Sequence, residues 1–317
     1  MVFFLGYDMQ KISVVTVCRD SESFINTTIE SVISQNGIGV NYTLEHVFVY
    51  AESSDKTLEI ITKYKEKYPH IVKIIYESKA EGISSAMNLG ITSSSGDIIN
   101  HLHSDDYYSH DNVLNKVIEI FDRNPESKWL YSHLKVIEHS GELHSFRESK
   151  LFYYLELYNR SLVPHPTVFI KRELFEEYNM FDTSYKCTMD YDLWFRIGKD
   201  NIPVIVDDYF VCFRGGEGST SNRFSELTGQ EAQHVRMKYQ NDINERIDLI
   251  SSLEQFKGNR IYFSSVFYRI SQLLNKVEVN DKRRAIKCLL ISIRLNPFIL
   301  KRYLYIWFII FSNNYSW

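Results

Sequence analysis

The residues best suited to chemistry cluster in Ser95–Asp111, SGDIINHLHSDDYYSHD, where Ser104, Asp105 and Asp106 follow an apolar stretch and precede two tyrosines. Gly96 breaks the preceding polar run, and Asp97 to Leu102 reads as a short buried strand. Adjacent carboxylates at the end of such a strand repel each other and lose hydration if enclosed, so they face a cation or sit in water. In open α/β sheets the carboxyl ends of strands are also where ligands bind. An acidic turn that caps a helix starting near Asp111 would use the same residues. A metal site and a cap therefore both fit. A second acidic pair, Asp190 and Asp192 in DYDLWFRIGK, opens another expected helix. Free N–H groups and the helix dipole favour carboxylates there, so Asp190 reads either as a cap or as a general base.

Other segments must position these acids. Ile12 to Cys18, ISVVTVC, is a continuous β-branched run, expected of a strand buried on both faces. A polar turn leads from it into a helix carrying Phe24, Ile25, Ile29, Val32 and Ile33. Further strands are expected over Leu44 to Tyr50 and Val72 to Tyr76, each followed by a helix, the second opened by Gly82. Four strand–helix alternations with short connections imply a largely parallel sheet with helices on its faces. Downstream come a helix to about Arg123, a strand near Trp129 to Ile137, a hairpin turn at Ser140-Gly141 and a short strand at Val168 to Lys171. Pro203 to Phe213 reads as two short strands, and Arg214 to Asn222 as a Gly/Ser-rich loop. From about Phe224 the pattern becomes helical.

The 317 residues suit one large domain with an appendage. A net charge of -4 and a pI near 6.2 argue against a nucleic-acid binder. Cys18, Cys187, Cys212 and Cys288 show no CxxC spacing, which suits a reducing compartment and neither a zinc ribbon nor a disulfide framework. Met1 to Met9 lacks the basic start and cleavage site of a signal peptide. No run reaches the roughly 20 apolar residues of a membrane span. A cytoplasmic protein is expected. The first strand's turn lacks GxGxxG, and GxxxxGK[ST] is absent, which excludes a typical dinucleotide-binding domain and a P-loop enzyme.

Five segments in order resemble glycosyltransferase family 2, inverting enzymes of GT-A fold. They are ISVVTVCRDSESFINTTIESVISQ, VYAESSDKTLEII, EGISSAMNLGI with SSGDIINHLHSDDYY, CTMDYDLWFRI, and FRGGEGSTSN. The match runs from about Ile12 to Asn222. It implies a catalytic domain over residues 1–223 and a helical extension over 224–317. Departures are visible: Arg19-Asp20 where the family often has Tyr-Asn, Tyr50 where many members have a base-binding Asp, His103 at the first acid of DxD, and Met189 at the Glu of the ED pair.

The resemblance implies a donor that is a nucleotide-diphosphate sugar, foremost a UDP-sugar, and a divalent cation, Mn²⁺ or Mg²⁺, at Asp105. Asp106 either supports Asp105 or orders the loop, and His103 is either a ligand or a polar partner. Asp190 is then the general base. Thr16, Arg19, Glu52 and Lys79 are expected around the donor's base and ribose. Gly82, Asn88 and Ser104 are expected beneath the donor, with His165 toward the acceptor and Arg214 toward the diphosphate. The acceptor is a saccharide or lipid-linked saccharide of surface polysaccharide assembly. Pro297 to Phe311, PFILKRYLYIWFIIF, suits a peripheral membrane contact at the inner face, a helix docked on the catalytic domain, or one buried in a homodimer. The rival classes are a nucleotidyltransferase, against which RDSES lacks the expected glycines, and a non-catalytic partner protein with a degenerate site.

Overall fold

The computed structural model describes residues 9–79, 81–149, 152, 154–159, 161–215, 224–245, 268, 286, 288–290, 292 and 293. The chain divides into two compact units, Met1–Phe152 with Val163–Ala232, and Tyr153–Leu162 with Gln233–Trp317. In the first, the β-branched run forms β1 (Lys11–Cys18), buried at all positions but Lys11 and Val17. There follow α1 (Ile25–Ile33), β2 (Thr43–Tyr50), α2 (Thr57–Lys67), β3 (Val72–Tyr76), α3 (Ile83–Ser93) and β4 (Ile98–His101). β1 pairs in parallel with β2 on one side and β4 on the other, and β2 pairs in parallel with β3. In a parallel sheet covered by helices such a central strand is buried on both faces, which suits its run of Ile and Val, and the buried Ser13 and Thr16 find hydrogen-bond partners. α3 lies close against it: a Cβ on Gly90 would come within 2.3 Å of Val15 Cγ1.

The remaining elements are β5 (Tyr107–Tyr108), α4 (Val113–Arg123), β6 (Trp129–Ile137), β7 (Leu143–Arg147), α5 (Tyr154–Leu157), β8 (Phe169–Lys171), α6 (Arg172–Glu177), α7 (Met189–Gly198), β9 (Val204–Arg214) and α8 (Ser225–Lys238). The sheet order is β3-β2-β1-β4-β8-β6-β9-β5, with β7 beside β6. β8 runs antiparallel to both β4 and β6, and β6 and β9 are parallel. The expected mostly parallel α/β architecture is observed. α4 buries Val113, Leu114, Val117, Ile118 and Phe121, one face at helical spacing, in the core with Ile12, Ile98 and Phe169.

Pro203 to Phe213 is one strand rather than two. β9 continues through Asp207-Asp208, and its register against β6 shifts on both sides of His133, so bulges absorb the irregularity that the sequence suggests is a turn. α6 was not expected, and it buries only Leu174 and Phe175. α5 belongs to the second unit. Among the described residues no helix is long and apolar enough to cross a membrane. Pro297 to Phe311, and the loop from residue 216 to 222, lie outside the described residues.

The chain leaves β1 toward β2 on one side and reaches β4 on the other, so the order reverses between β1 and β4. A ligand crevice is expected outside the carboxyl ends of those two strands. Arg19 follows one end, and the acidic loop follows the other.

Candidate active site

The acidic loop is held in place from several sides. The Asp106 amide donates to the His103 carbonyl (3.1 Å), closing a tight turn. The Thr28 hydroxyl, on the buried face of α1, lies 2.9 and 2.7 Å from the carbonyls of Ser104 and Asp106. Ser104 Oγ meets Ser21 Oγ at 2.9 Å, which ties the loop to the turn after β1. Arg214 supplies the last restraint. Its guanidinium donates to the carbonyls of Asp105, Glu138 and His139 and lies 4.1 Å over the Phe24 ring.

These contacts bear on three of the expected site residues. Asp106 is fully buried, and one of its oxygens accepts the Arg214 amide at 2.8 Å. Burial, with the charge of Asp105 beside it, pushes its carboxyl well above the usual range. A carboxyl so enclosed orders the loop and is a poor cation ligand. Ser104 ties the loop to Ser21 through its hydroxyl. Arg214 clamps the loop through Nε and Nη1, which donate to the carbonyls of Asp105, Glu138 and His139. Asp105 differs from its neighbours: it is partly exposed, and its carboxylate has no partner among the described residues.

Three imidazoles connect this loop to the helix bearing the second acid. His103 packs edge-on against His165, with centroids 5.5 Å apart, and His165 meets His101 at 5.8 Å and Trp194 at 6.0 Å. Burial holds His101 at a pKa of about 3 and His165 well below the usual imidazole range. His103 is also lowered by burial, with the Asp105 charge acting in the opposite direction. All three are therefore neutral near pH 7. His165 sits in a 3-10 turn, His165–Thr167, between Pro164 and Pro166.

Trp194 lies one turn beyond Asp190 on α7. Asp190 is partly buried and accepts the Tyr191 amide (2.8 Å), and desolvation raises its pKa from 3.8 to about 6. Its neighbour Asp192 is fully buried and pairs with Arg196 Nε at 2.8 Å. Arg196 also donates to the carbonyls of Tyr178 and Met180. Asp192 thus holds Arg196, whose other donors lock α7 to the chain after α6. Asp192→Asn should lower stability on the order of 2 kcal/mol, the worth of a hydrogen bond to a charged group. Urea denaturation measures this, and turnover by the folded fraction should change little.

The remaining expected residues divide between rim and scaffold. Arg19, Glu52 and Lys79 are exposed just beyond β1, β2 and β3. Gly82 starts α3 with φ +105°, a conformation that a side chain disfavours. Thr16 is fully buried instead, its hydroxyl donating to the Leu102 carbonyl and meeting His46 Nε2, both at 2.9 Å. It stitches β1 to the chain leaving β4. Asn88 grips the Phe181 backbone in both directions, at 2.8 and 3.0 Å, so its amide serves the scaffold. Tyr50 accepts the Ser53 amide at 3.0 Å. The two rim turns are laced together: Asp20 accepts from Ser54, Asp55 from Glu22, and Glu22 from Lys56.

Sequence reasoning missed Thr28, His101, Trp194 as a stacking partner, and Glu231. Thr28 was detectable as a polar residue on the apolar face of α1, and His101 as the strand neighbour two positions before His103. Glu231 lies 41 positions beyond Asp190, and nothing local marks it.

Residues 13–179 match the family model described as Glycosyl transferase family 2. Over 222 residues the chain is 27% identical to the Escherichia coli UDP-Glc:alpha-D-GlcNAc-diphosphoundecaprenol beta-1,3-glucosyltransferase WfgD, covering 69% of this chain and 83% of that one. It is 24% identical over 218 residues to an uncharacterized glycosyltransferase of Rickettsia typhi, covering 67% and 66% respectively. A 26% identical match to the poly(ribitol-phosphate) beta-glucosyltransferase of Bacillus spizizenii spans 65% of this chain but 33% of that protein. S. aureus TarS 1-349, solved in complex with UDP-GlcNAc, superposes with a TM-score of 0.58 at 17% identity, covering 93% of this chain and 92% of that one. At that identity the likeness is one of fold, and the fold is GT-A.

Proposed function

The chain belongs to glycosyl transferase family 2, and on that premise we propose an inverting, cation-assisted hexosyl transfer with Asp190 as general base and Asp105 as cation ligand. The donor is a nucleotide-diphosphate sugar, foremost a UDP-sugar, and the acceptor a hydroxyl of a saccharide or lipid-linked saccharide in surface polysaccharide assembly. The names of WfgD and of the TarS complex, with their UDP-linked sugars and lipid diphosphate, support this substrate class. We place catalysis in the compact unit that continues past residue 223 to Ala232, and from its composition we read 297–311 as a peripheral contact with the inner face of the membrane.

One observation carries the reading. Asp190 has a pKa near 6, the range in which a base is mostly ionised at neutral pH yet still basic enough to take a proton. Desolvation sets that value, and the histidine–tryptophan stack joins its helix to the loop of Asp105. In transfer, Asp190 takes the acceptor hydroxyl's proton as that oxygen attacks the anomeric carbon. The nucleoside diphosphate leaves from the opposite face.

Asp105 is the residue that fits a cation, since its carboxylate is accessible and uncommitted. Among the described residues no group of three or more His, Cys, Asp and Glu side chains could hold a metal ion, so the other ligands in this reading are phosphate oxygens and water. A bound Mg²⁺ or Mn²⁺ supplies charge neutralisation at the departing diphosphate. His103, packed edge-on against His165, lies in the field of the Asp105 charge. Arg19, Glu52 and Lys79 supply the polar rim for the nucleoside.

A panel of nucleotide sugars assayed by thermal shift with Mn²⁺ tests the donor class. A rise in Tm with a UDP-sugar is expected. No shift with any nucleotide sugar, with or without Mn²⁺, would remove the reading.

A further inference from the structure

We propose that Glu231, on α8, is a positioning residue for Asp190 that fixes the entry to the helix carrying the base. The inference rests on Asp190 acting as the general base. The Glu231 carboxylate accepts the amides of Lys186 at 2.9 Å, Cys187 at 2.8 Å and Thr188 at 3.1 Å, and the Thr188 hydroxyl at 3.2 Å. Three successive amides on one carboxylate leave that stretch little freedom to rotate. Asp190 follows two residues later.

α7 has no side-chain cap of its own. Thr188 occupies the N-cap position, yet its hydroxyl points to Glu231 and not to the helix amides. The main chain leading into the helix, up to and including the N-cap residue, is held instead by a carboxylate 43 positions beyond Thr188. Beyond Asp190, α7 is fixed by the Asp192–Arg196 pair and by the packing of Trp194 on Trp129 (5.4 Å). Before Asp190, Glu231 holds the three amides from Lys186 to Thr188, and Ser84 Oγ donates to the Tyr185 carbonyl at 2.6 Å. A general base must hold its oxygen within hydrogen-bond reach of the hydroxyl it deprotonates, and a displacement of about 1 Å can cost about 10²-fold in rate.

The placement also bears on where the catalytic part ends. Glu231 lies beyond the composition change near Phe224, within the compact unit that extends to Ala232. The first turns of α8 therefore belong to the reaction centre, and a catalytic domain cut at residue 223 would lack the restraint.

The experiment measures steady-state kinetics of the full chain with a UDP-sugar donor and Mn²⁺, comparing wild type, Glu231→Ala, Glu231→Gln, Thr188→Val and Asp190→Asn. Glu231→Ala should lose about 10²-fold in kcat with the donor KM unchanged, because only the base is displaced. Glu231→Gln retains an accepting oxygen and should recover most of that loss. Thr188→Val removes one of the four hydrogen bonds and should lower kcat a few-fold, which keeps the idea testable if Glu231→Ala fails to fold. A lowered Tm with wild-type kcat in Glu231→Ala or Thr188→Val would overturn the proposal, as would a rise in donor KM that matches the fall in kcat/KM. If Asp190→Asn is fully active, the base assignment fails first, and Glu231 falls with it.

Discussion

Asp190→Asn should be an almost inactive protein that is more stable than the wild type. The substitution keeps the size and a carbonyl oxygen for the Tyr191 amide but removes the proton acceptor. Loss of a general base typically costs about 10²- to 10⁴-fold, and the loss should fall in kcat with donor affinity preserved. In the wild type, kcat should rise with pH through about 6 and then level, because the ionised carboxylate is the working form. The stability gain follows from the same desolvation. A carboxyl whose folded-state pKa lies above its unfolded value stabilises the fold while protonated, and that contribution disappears as pH rises through the folded value. The asparagine variant should therefore melt higher than wild type above about pH 6, with the difference vanishing toward about pH 4. Paired melting curves across that range check the sign. Should Asp192→Asn be the inactive variant instead, the base is the other acid of the pair.

Asp105→Ala should abolish transfer and erase the contribution of the cation to nucleotide binding while leaving the loop folded. The loop's restraints run through the hydroxyls of Thr28 and Ser21 and through Arg214, and the Arg214 contact is to the Asp105 carbonyl, which alanine keeps. Calorimetric titration with UDP in Mn²⁺ and in EDTA separates the effects. Wild type should bind more tightly in Mn²⁺, whereas the variant should bind equally in both at the wild-type EDTA affinity. Unchanged Mn²⁺ dependence in the variant would place the cation on other residues.

The sequence made the frame of the fold visible because β1 and α4 bury surface in ways that periodicity records. Ile12 to Cys18 is rich in Ile and Val because it lies in the middle of a parallel sheet buried on both faces, and α4 spaces its buried side chains at 3.6-residue intervals. β9 was legible only in part, since bulges let one strand carry the Asp207-Asp208 break. At the site, the acids were visible because unpaired carboxylates beside apolar strands and at helix starts are unusual. Their division of labour was not. Asp105 and Asp106 are adjacent and identical, yet only Asp106 meets the Arg214 amide in the interior. Nothing in the local sequence shows that Thr16, Asn88 and Arg214 each hold distant backbone groups. Long-range restraints such as Glu231 on α7 depend on contacts between elements far apart in the chain, which local patterns do not encode.

The most direct test follows the reaction of a UDP-hexose having an α-linked sugar, with Mn²⁺, by NMR of both the anomeric proton and the phosphorus. The mechanism predicts UDP as the phosphorus product and a β-configured sugar at first appearance, whether the acceptor is a saccharide hydroxyl or, more slowly, water. Release of pyrophosphate, or a sugar product that first appears in the α configuration, would contradict it.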